Sequence, residues 1–400
     1  MKKFALLLLV LALASVGSAW AQATAECVSD YDATADYFPN KATVDYATGF
    51  TLSYHNSYKV LEVLAPFPGS TPEDGFTYVL VQCGTPAPEG FEGALFVEIP
   101  TGKVMTMSTT FLPHLTELGL LDSLVGVDSI LYTHTPEVLA KHEAGELVEI
   151  GFGSGVNLEL VLDAEPDLVL ANASGNPQYD AHPVILEAGI PTAILADYVE
   201  STPLGQAEWV KFTAAFFNAD GEAQALFADK AEAYNALVAL TASLPAEARL
   251  SVLWNSFSSW SGAWFVPGEQ TYVAQFMRDA GVNLVLNDAP EVQAQNGSVP
   301  FDFESVYEAG LDADVWIPDS FGVNTLADLL AQDERYADFA AFQSGNVITN
   351  GGRVNANGGN AYYETGVNNP QDLLADFIAL VYPQLLPDHV PTYFVRLGGG

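Results

Sequence analysis

The stretch from Asp220 to Ser243, DGEAQALFADKAEAYNALVALTAS, constrains the fold of this chain more than any other. Apolar or small residues recur at Ala223, Leu226, Phe227, Ala231, Tyr234, Leu237, Val238 and Thr241. This three-to-four spacing predicts a helix with one face buried along its length. Asp220 is placed to cap it, Glu222 falls in its first turn and Pro245 ends it. At 1.5 Å per residue it would run roughly 36 Å, about twice the usual length. Strand–helix alternation flanks it on both sides. It is either one long core helix of a single α/β domain or a rigid strut between two lobes.

Chain length bears on that choice, because 400 residues favour two domains. Hydrophobic residues make up 49%, enough for sizeable cores and too many for a disordered chain. The net charge of −37 comes from scarce bases, 13 Lys and Arg against 50 Asp and Glu. Such a field repels nucleic acid, anionic membranes and anionic small molecules.

The N-terminus reads as a secretory signal over residues 1–21. Lys2 and Lys3 precede an apolar run from Phe4 to Val16, and Ala19-Trp20-Ala21 forms a small-residue site with cleavage expected before Gln22. The run is short for a membrane span. An exported protein is expected, in the periplasm or at the extracytoplasmic face of the membrane. Thr24-Ala25-Glu26 before Cys27 is a poor lipidation box, since Glu stands where a small residue belongs. Cys27 and Cys83 are the only cysteines, either a disulfide or two buried thiols.

Residues 22–102 are β-like, with strand candidates at 44–53, 58–64, 76–82 and 94–99 between Pro- and Gly-rich turns. They are expected to form an appendage adding strands to a first lobe. From Lys103 the pattern changes to βα units. The predicted fold is α/β: two three-layer lobes with mostly parallel sheets, an N-terminal lobe at 103–202 and a C-terminal lobe at 246–400. Connecting helices at 203–245 include the backbone helix at 220–243. Glu165-Pro166-Asp167-Leu168-Val169-Leu170 in the first half is echoed by Asp312-Ala313-Asp314-Val315-Trp316-Ile317 in the second.

Catalytic signatures are missing. There is no GxSxG elbow, P-loop or HExxH, and Gly151-Phe152-Gly153-Ser154-Gly155 falls short of a dinucleotide fingerprint. The six His residues, at 55, 114, 134, 142, 182 and 389, have no metal-ligand spacing. No enzyme activity, cofactor or resident metal is expected. The candidate chemistry lies in loops after strands, where open α/β sheets bind ligands. The first half offers Ser108, Thr109, Tyr132 and Asn172. The second half is richer in aromatics: Trp254, then Phe257, Trp260 and Trp264 within Asn255–Gly268, and Arg353 and Tyr362 within Asn350–Gly366. Aromatics among Ser, Asn and Gly suit a large, partly flat ligand, although each ring could equally be a core residue.

These residues resemble a family, the class III periplasmic substrate-binding proteins of ABC importers, whose members include ferric-siderophore, haem and vitamin B12 receptors. The matching segments are Ser108-Thr109-Thr110 before PHLTELGLLDSLVGV (113–127), VNLELVLDAEPDLVLA (156–171), LEAGIP (186–191), PLGQAEWVKFTAAFFN (203–218), the long helix and FESVYEAGLDADVWI (303–317). The resemblance implies two lobes on one backbone helix, a ligand held between them and little hinge motion. It implies docking on permease subunits through one acid per lobe, Glu304 in the second and Asp180 at the corresponding first-lobe position. The implied partners are a small-molecule metal chelate and the permease, with no nucleic acid, and the protein is expected to be a monomer. Arg353 is the one basic residue in the candidate loops, so a neutral or weakly charged chelate, a ferric hydroxamate or a corrinoid, is expected rather than an anionic catecholate. A receptor for a bare transition-metal ion and an exported hydrolase are the alternatives.

Overall fold

The protein is described here by a computed structural model covering residues 27–319 and 322–398. The expected signal segment lies outside the described residues. The structure is mixed α/β, with several sheets. The first lobe holds five parallel strands in the spatial order Val148–Glu149, Leu124–Val127, Val104–Thr106, Leu168–Ala171, Thr192–Ile194. Helices covering both faces explain why strands such as Leu168–Ala171 are apolar throughout instead of alternating. Strand order reverses at Val104–Thr106, so the crevice opens beside the loops that follow it.

In the second lobe Asn283–Leu284, Ser251–Trp254 and Val315–Ile317 run parallel, and Trp316 bridges to Val347. Order again reverses at the first strand, Ser251–Trp254. Residues 255–268, read from sequence as an aromatic loop, instead form a hairpin. Phe257–Ser258 pairs with Ala263–Pro267, which pairs with Ser298–Phe301. Trp264 and Val266 point inward and Phe265 is half-exposed, a period-two pattern.

The appendage forms its own four-stranded sheet, Phe50–Tyr54, Tyr58–Val63, Phe76–Gln82 and Leu95–Ile99, rather than extending the first-lobe sheet. It shares a core with that lobe, where Phe50, Tyr78 and Val97 pack with Trp209, Phe212 and Phe216. The strand expected from residue 44 begins only at Phe50, because the preceding N–H groups serve buried carboxylates instead of a ladder. Asp45, Tyr46 and Ala47 donate to Glu208, and Thr48 and Gly49 to Glu200. Glu208 sits in a break of the helix expected over 203–217, which is observed as Pro203–Ala207 and Val210–Ala215. Cys27 and Cys83 are bonded, with Cα atoms 4.8 Å apart, and Val28 N donates to Cys83 O.

The long helix spans Asp220–Ala242, 23 residues or about 35 Å. Its N-cap is Ala219. Asp220 turns inward as a buried acceptor for Lys59 Nζ at 2.5 Å and Tyr54 OH at 2.8 Å, so it anchors the appendage instead of capping the helix. Ala223 belongs to the first-lobe core, whereas Phe227, Ala231 and Tyr234 belong to the second. The helix thus passes from one core into the other, packed against both.

Candidate binding cleft

The lobes meet along a hydrogen-bonded seam. Glu364, buried on a single π-helical turn at Tyr362–Gly366, accepts from His134 N at 2.7 Å, Thr135 N at 2.8 Å and Thr135 Oγ1 at 2.5 Å. His134 Nε2 lies 2.8 Å from Gly359 O, and the side chains of Asn355 and Asn357 donate to Leu131 O. A Cβ on Gly359 would sit 2.4 Å from Tyr132 O, so the close approach of the two loops needs glycine there. Lys230 on the long helix donates to Glu117 of the first lobe at 2.5 Å and to Asn368 O of the second at 2.7 Å. His114 is buried near this pair. Desolvation, then the Lys230 charge, lowers its pKa to about 3, which keeps it neutral beside Thr213 Oγ1.

Above the seam lies a cavity of about 570 Å³. Thr109 and Tyr132 line it from the first lobe, and Val323, Asn324, Thr349, Val354, Asn360 and Tyr363 from the second. Tyr132 and Tyr363 are each about half exposed, at 51% and 54%. A smaller hollow of about 250 Å³ shares Asp319 and Tyr363 with it and reaches Trp254 and Tyr362 at the carboxyl ends of the second-lobe strands. Burial holds the Tyr362 phenol well above its ordinary range, so it stays protonated. On the first lobe, about 490 Å³ opens between Met107, Phe152, Asn172 and Tyr179 at the strand switch point. No Lys or Arg is among the described residues lining these three spaces. At the root of the Tyr132 loop, Asp128 is raised to about 6, mainly by burial and slightly by Glu149, whose carboxylate accepts from Ile130 N.

The structure brings Thr109, Tyr132, Asn172, Trp254 and Tyr362 to these spaces and removes others. Ser108 caps the next turn, accepting from Thr110 N, and lines none of the three. Trp264 is fully buried among Phe303, Tyr336 and Phe339 with its Nε1 donating to Trp254 O; it is a core residue. Phe257 and Trp260 border a further hollow on the hairpin, which shares Asn255 and Asp319 with the smaller one. Arg353 is exposed and outside the cleft lining, because its loop turns its Asn side chains to the seam. Asp180 is buried and accepts from Ser174 N at 2.8 Å and Ser174 Oγ at 2.7 Å, so it braces a loop and cannot meet a partner. Glu304 is exposed, 3.6 Å from Arg335 Nη1. Phe152, Tyr179 and Tyr363, exposed aromatics in the same loops, join Thr109, Tyr132, Asn172, Trp254 and Tyr362 at these walls. Among the described residues no group of His, Cys, Asp and Glu could hold a metal ion, and no helix is long and apolar enough to cross a membrane.

Comparison with known proteins places this geometry. Residues 104–353 match the family described as periplasmic binding protein. An uncharacterized lipoprotein of Methanocaldococcus jannaschii is 23% identical over 310 residues, 75% of this chain and 70% of the relative. A possible iron-binding periplasmic solute-binding protein from Staphylococcus epidermidis superposes with a TM-score of 0.55 at 14% identity, covering 71% of this chain and 99% of its own. The periplasmic haem-binding protein RhuT from Roseiflexus, in apo form, gives 0.51 at 21% identity, covering 71% and 99%.

Proposed function

This chain belongs to the periplasmic binding protein family, and from that premise we propose that it captures a neutral or weakly charged metal chelate in the inter-lobe cleft and delivers it to an ABC-type importer outside the cytoplasm. The family consists of solute-binding proteins, not enzymes. One observation carries the ligand class: the three spaces along the cleft are lined by aromatic, aliphatic and neutral polar side chains and Gly, with Asp319 the one acid and no basic side chain among the described residues. A triply anionic catecholate would find no counter-charge there, inside a protein of net charge −37. A ferric hydroxamate or corrinoid needs ring faces and neutral hydrogen bonds, which these walls supply. The bare-ion alternative lacks its ligand set among the described residues. Haem is a second reading, favoured by Tyr132 and Tyr363 on opposite walls, since a phenol oxygen is a known axial ligand for haem iron.

Docking follows from the internal repeat. Helix Leu158–Ala164 is capped by Asn157, which accepts from Leu160 N, and helix Phe303–Gly310 by Asp302, which accepts from Ser305 N. Glu159 and Glu304 are the second residues of these helices, both exposed, and each helix leads into its lobe's parallel strand. Glu159 therefore replaces Asp180 as the first-lobe docking acid. The sulfur of Cys27 is occupied by its disulfide, which favours a protein free of lipid at that residue.

Tryptophan fluorescence titration with a ferric trihydroxamate, cyanocobalamin, haem and a ferric catecholate tests the ligand class. Tight binding of the trihydroxamate or cyanocobalamin is expected; tight binding of haem alone would select the second reading, and tight binding of the catecholate alone would overturn both.

A further inference from the structure

Phe152 and Tyr179 are 72% and 67% exposed, and both border the first-lobe hollow of about 490 Å³. Among the described residues only Trp260 holds an aromatic ring more open to water. The volume falls in the range of about 300–1,000 Å³ usual for small-molecule sites. The two rings come from loops that are tied to each other. Ser154 donates to Gln178 O through its N at 3.2 Å and through its Oγ at 3.1 Å. Gly153 has a φ of +58°, and a Cβ there would sit 3.0 Å from Gln178 O, so glycine lets the loops close. Behind Tyr179, the buried Asp180 carboxylate braces Ser174. Hydrogen bonds within the first lobe thus hold the two aromatic walls, which lowers the ordering cost of binding between them.

No charged side chain lines this hollow among the described residues, whereas the inter-lobe cavity and the smaller second-lobe hollow both include Asp319. Asn172 and Gln178 bring side-chain amides to it, each with donors and an acceptor. The bonds of Gln178 run through its backbone, from its N to Asn176 Oδ1 and from Ser154 to its O, which leaves its side chain to the hollow. Ring faces beside neutral amides suit an uncharged, planar heteroaromatic group held by stacking. The hollow adjoins the ligand cavity, since Met107 lines the first and Thr109 the second, at most about 7 Å apart along the chain.

We infer that this hollow is a second subsite of the binding cleft, taking a flat heteroaromatic base that the chelate carries on an arm. The inference rests on the reading of the chain as a receptor for a neutral chelate, and it selects among those chelates. A corrinoid with its nucleotide base has such an arm, and a ferric trihydroxamate built on aliphatic chains has none. The metal-bearing macrocycle occupies the inter-lobe cavity, and the base stacks against Phe152 and Tyr179. The protein therefore prefers a complete corrinoid to one stripped of its base.

The test is calorimetric titration of the full chain with cyanocobalamin, with dicyanocobinamide, which keeps the macrocycle and lacks the nucleotide, and with a ferric trihydroxamate. The wild type is expected to bind cyanocobalamin about tenfold or more tighter than dicyanocobinamide. Phe152→Ala and Tyr179→Ala should each reduce that ratio about fivefold, and Tyr179→Phe, which keeps the ring, should preserve it. Both side chains are exposed, so thermal unfolding of the variants should match the wild type. Equal wild-type affinities for the two corrinoids, or equal losses for both in the alanine variants, would overturn the subsite. Tight binding of the trihydroxamate with neither corrinoid bound would also overturn it and leave the neutral-chelate reading standing. Binding of none of the three would overturn that reading itself.

Discussion

At the seam between appendage and first lobe, Glu208 gathers the N–H groups of Asp45, Tyr46 and Ala47, and Lys211 Nζ lies 2.7 Å from its Oε1. At the seam between the lobes, Glu364 gathers His134 N, Thr135 N and Thr135 Oγ1, and no Lys or Arg among the described residues pairs with it. Both are buried carboxylates that hold a segment remote in sequence. The first is neutralised by an equally buried cation that also lies 4.4 Å over the Phe227 ring. The second depends on N–H and O–H dipoles alone. The appendage is thus held by a carboxylate neutralised in place, whereas at the lobe–lobe seam the charged pair is Lys230–Glu117, and Glu364 is held by dipoles. The long helix packs into both cores, a geometry expected to oppose wide hinge closure.

Removing Glu208 breaks the comparison most severely. Glu208→Ala strands Lys211 and three N–H groups and should cost about 3–5 kcal/mol in urea unfolding. A loss below about 1 kcal/mol would show that the pair contributes no more than a surface one. Next comes Asp197, whose carboxyl is raised to about 6 by burial, with a smaller contribution from nearby Glu200. A carboxyl whose folded pKa exceeds its unfolded value stabilises the fold below about pH 4, and that contribution is lost as pH rises through about 6. Asp197→Asn should therefore gain up to about 3 kcal/mol at pH 7 and nothing at pH 4, as read from thermal unfolding at both pH values.

Glu364→Gln should cost less, about 1–3 kcal/mol. Its signature is local, with faster amide exchange at His134 and Thr135 and weaker chelate binding. Slower or unchanged exchange there would remove Glu364 from the joint. Gly359→Ala pushes against Tyr132 O and should cost about 1–3 kcal/mol, with a larger loss in chelate affinity than in stability; the reverse ratio would place the contact outside the working cleft. Smallest of all, Arg353→Ala should change stability by less than about 0.5 kcal/mol and leave chelate titrations unaltered.

The parts of this protein legible in its sequence are those fixed by local periodicity and chain punctuation. The long helix was read to within a residue at its C-terminal end because apolar spacing persists through Val238 and Thr241 and Pro245 stops it. The parallel strands Leu168–Ala171 and Val315–Ile317 stood out as apolar runs after Pro166 and Asp314. Of the cleft, Thr109, Tyr132, Asn172, Trp254 and Tyr362 were legible because they lie at the ends of strands or in the loops beyond them.

A linear pattern cannot encode which partner, far along the chain, claims a side chain. Trp264 and Trp260 are four residues apart in the same Ser- and Gly-rich stretch, yet pairing with Ser298–Phe301 buries one and leaves the other at the hairpin tip. Asp220 looked like a cap and became the counter-ion of Lys59, 161 residues away. Asp180 looked exposed and closes a loop on Ser174. The sequence by itself determined the α/β architecture and its backbone helix, because these follow from local burial, and the likeness of its segments pointed to the family. The tertiary structure alone decided which polar groups are available to a ligand or partner. Availability is what remains once buried donors and acceptors have found each other, and those pairings span the whole chain.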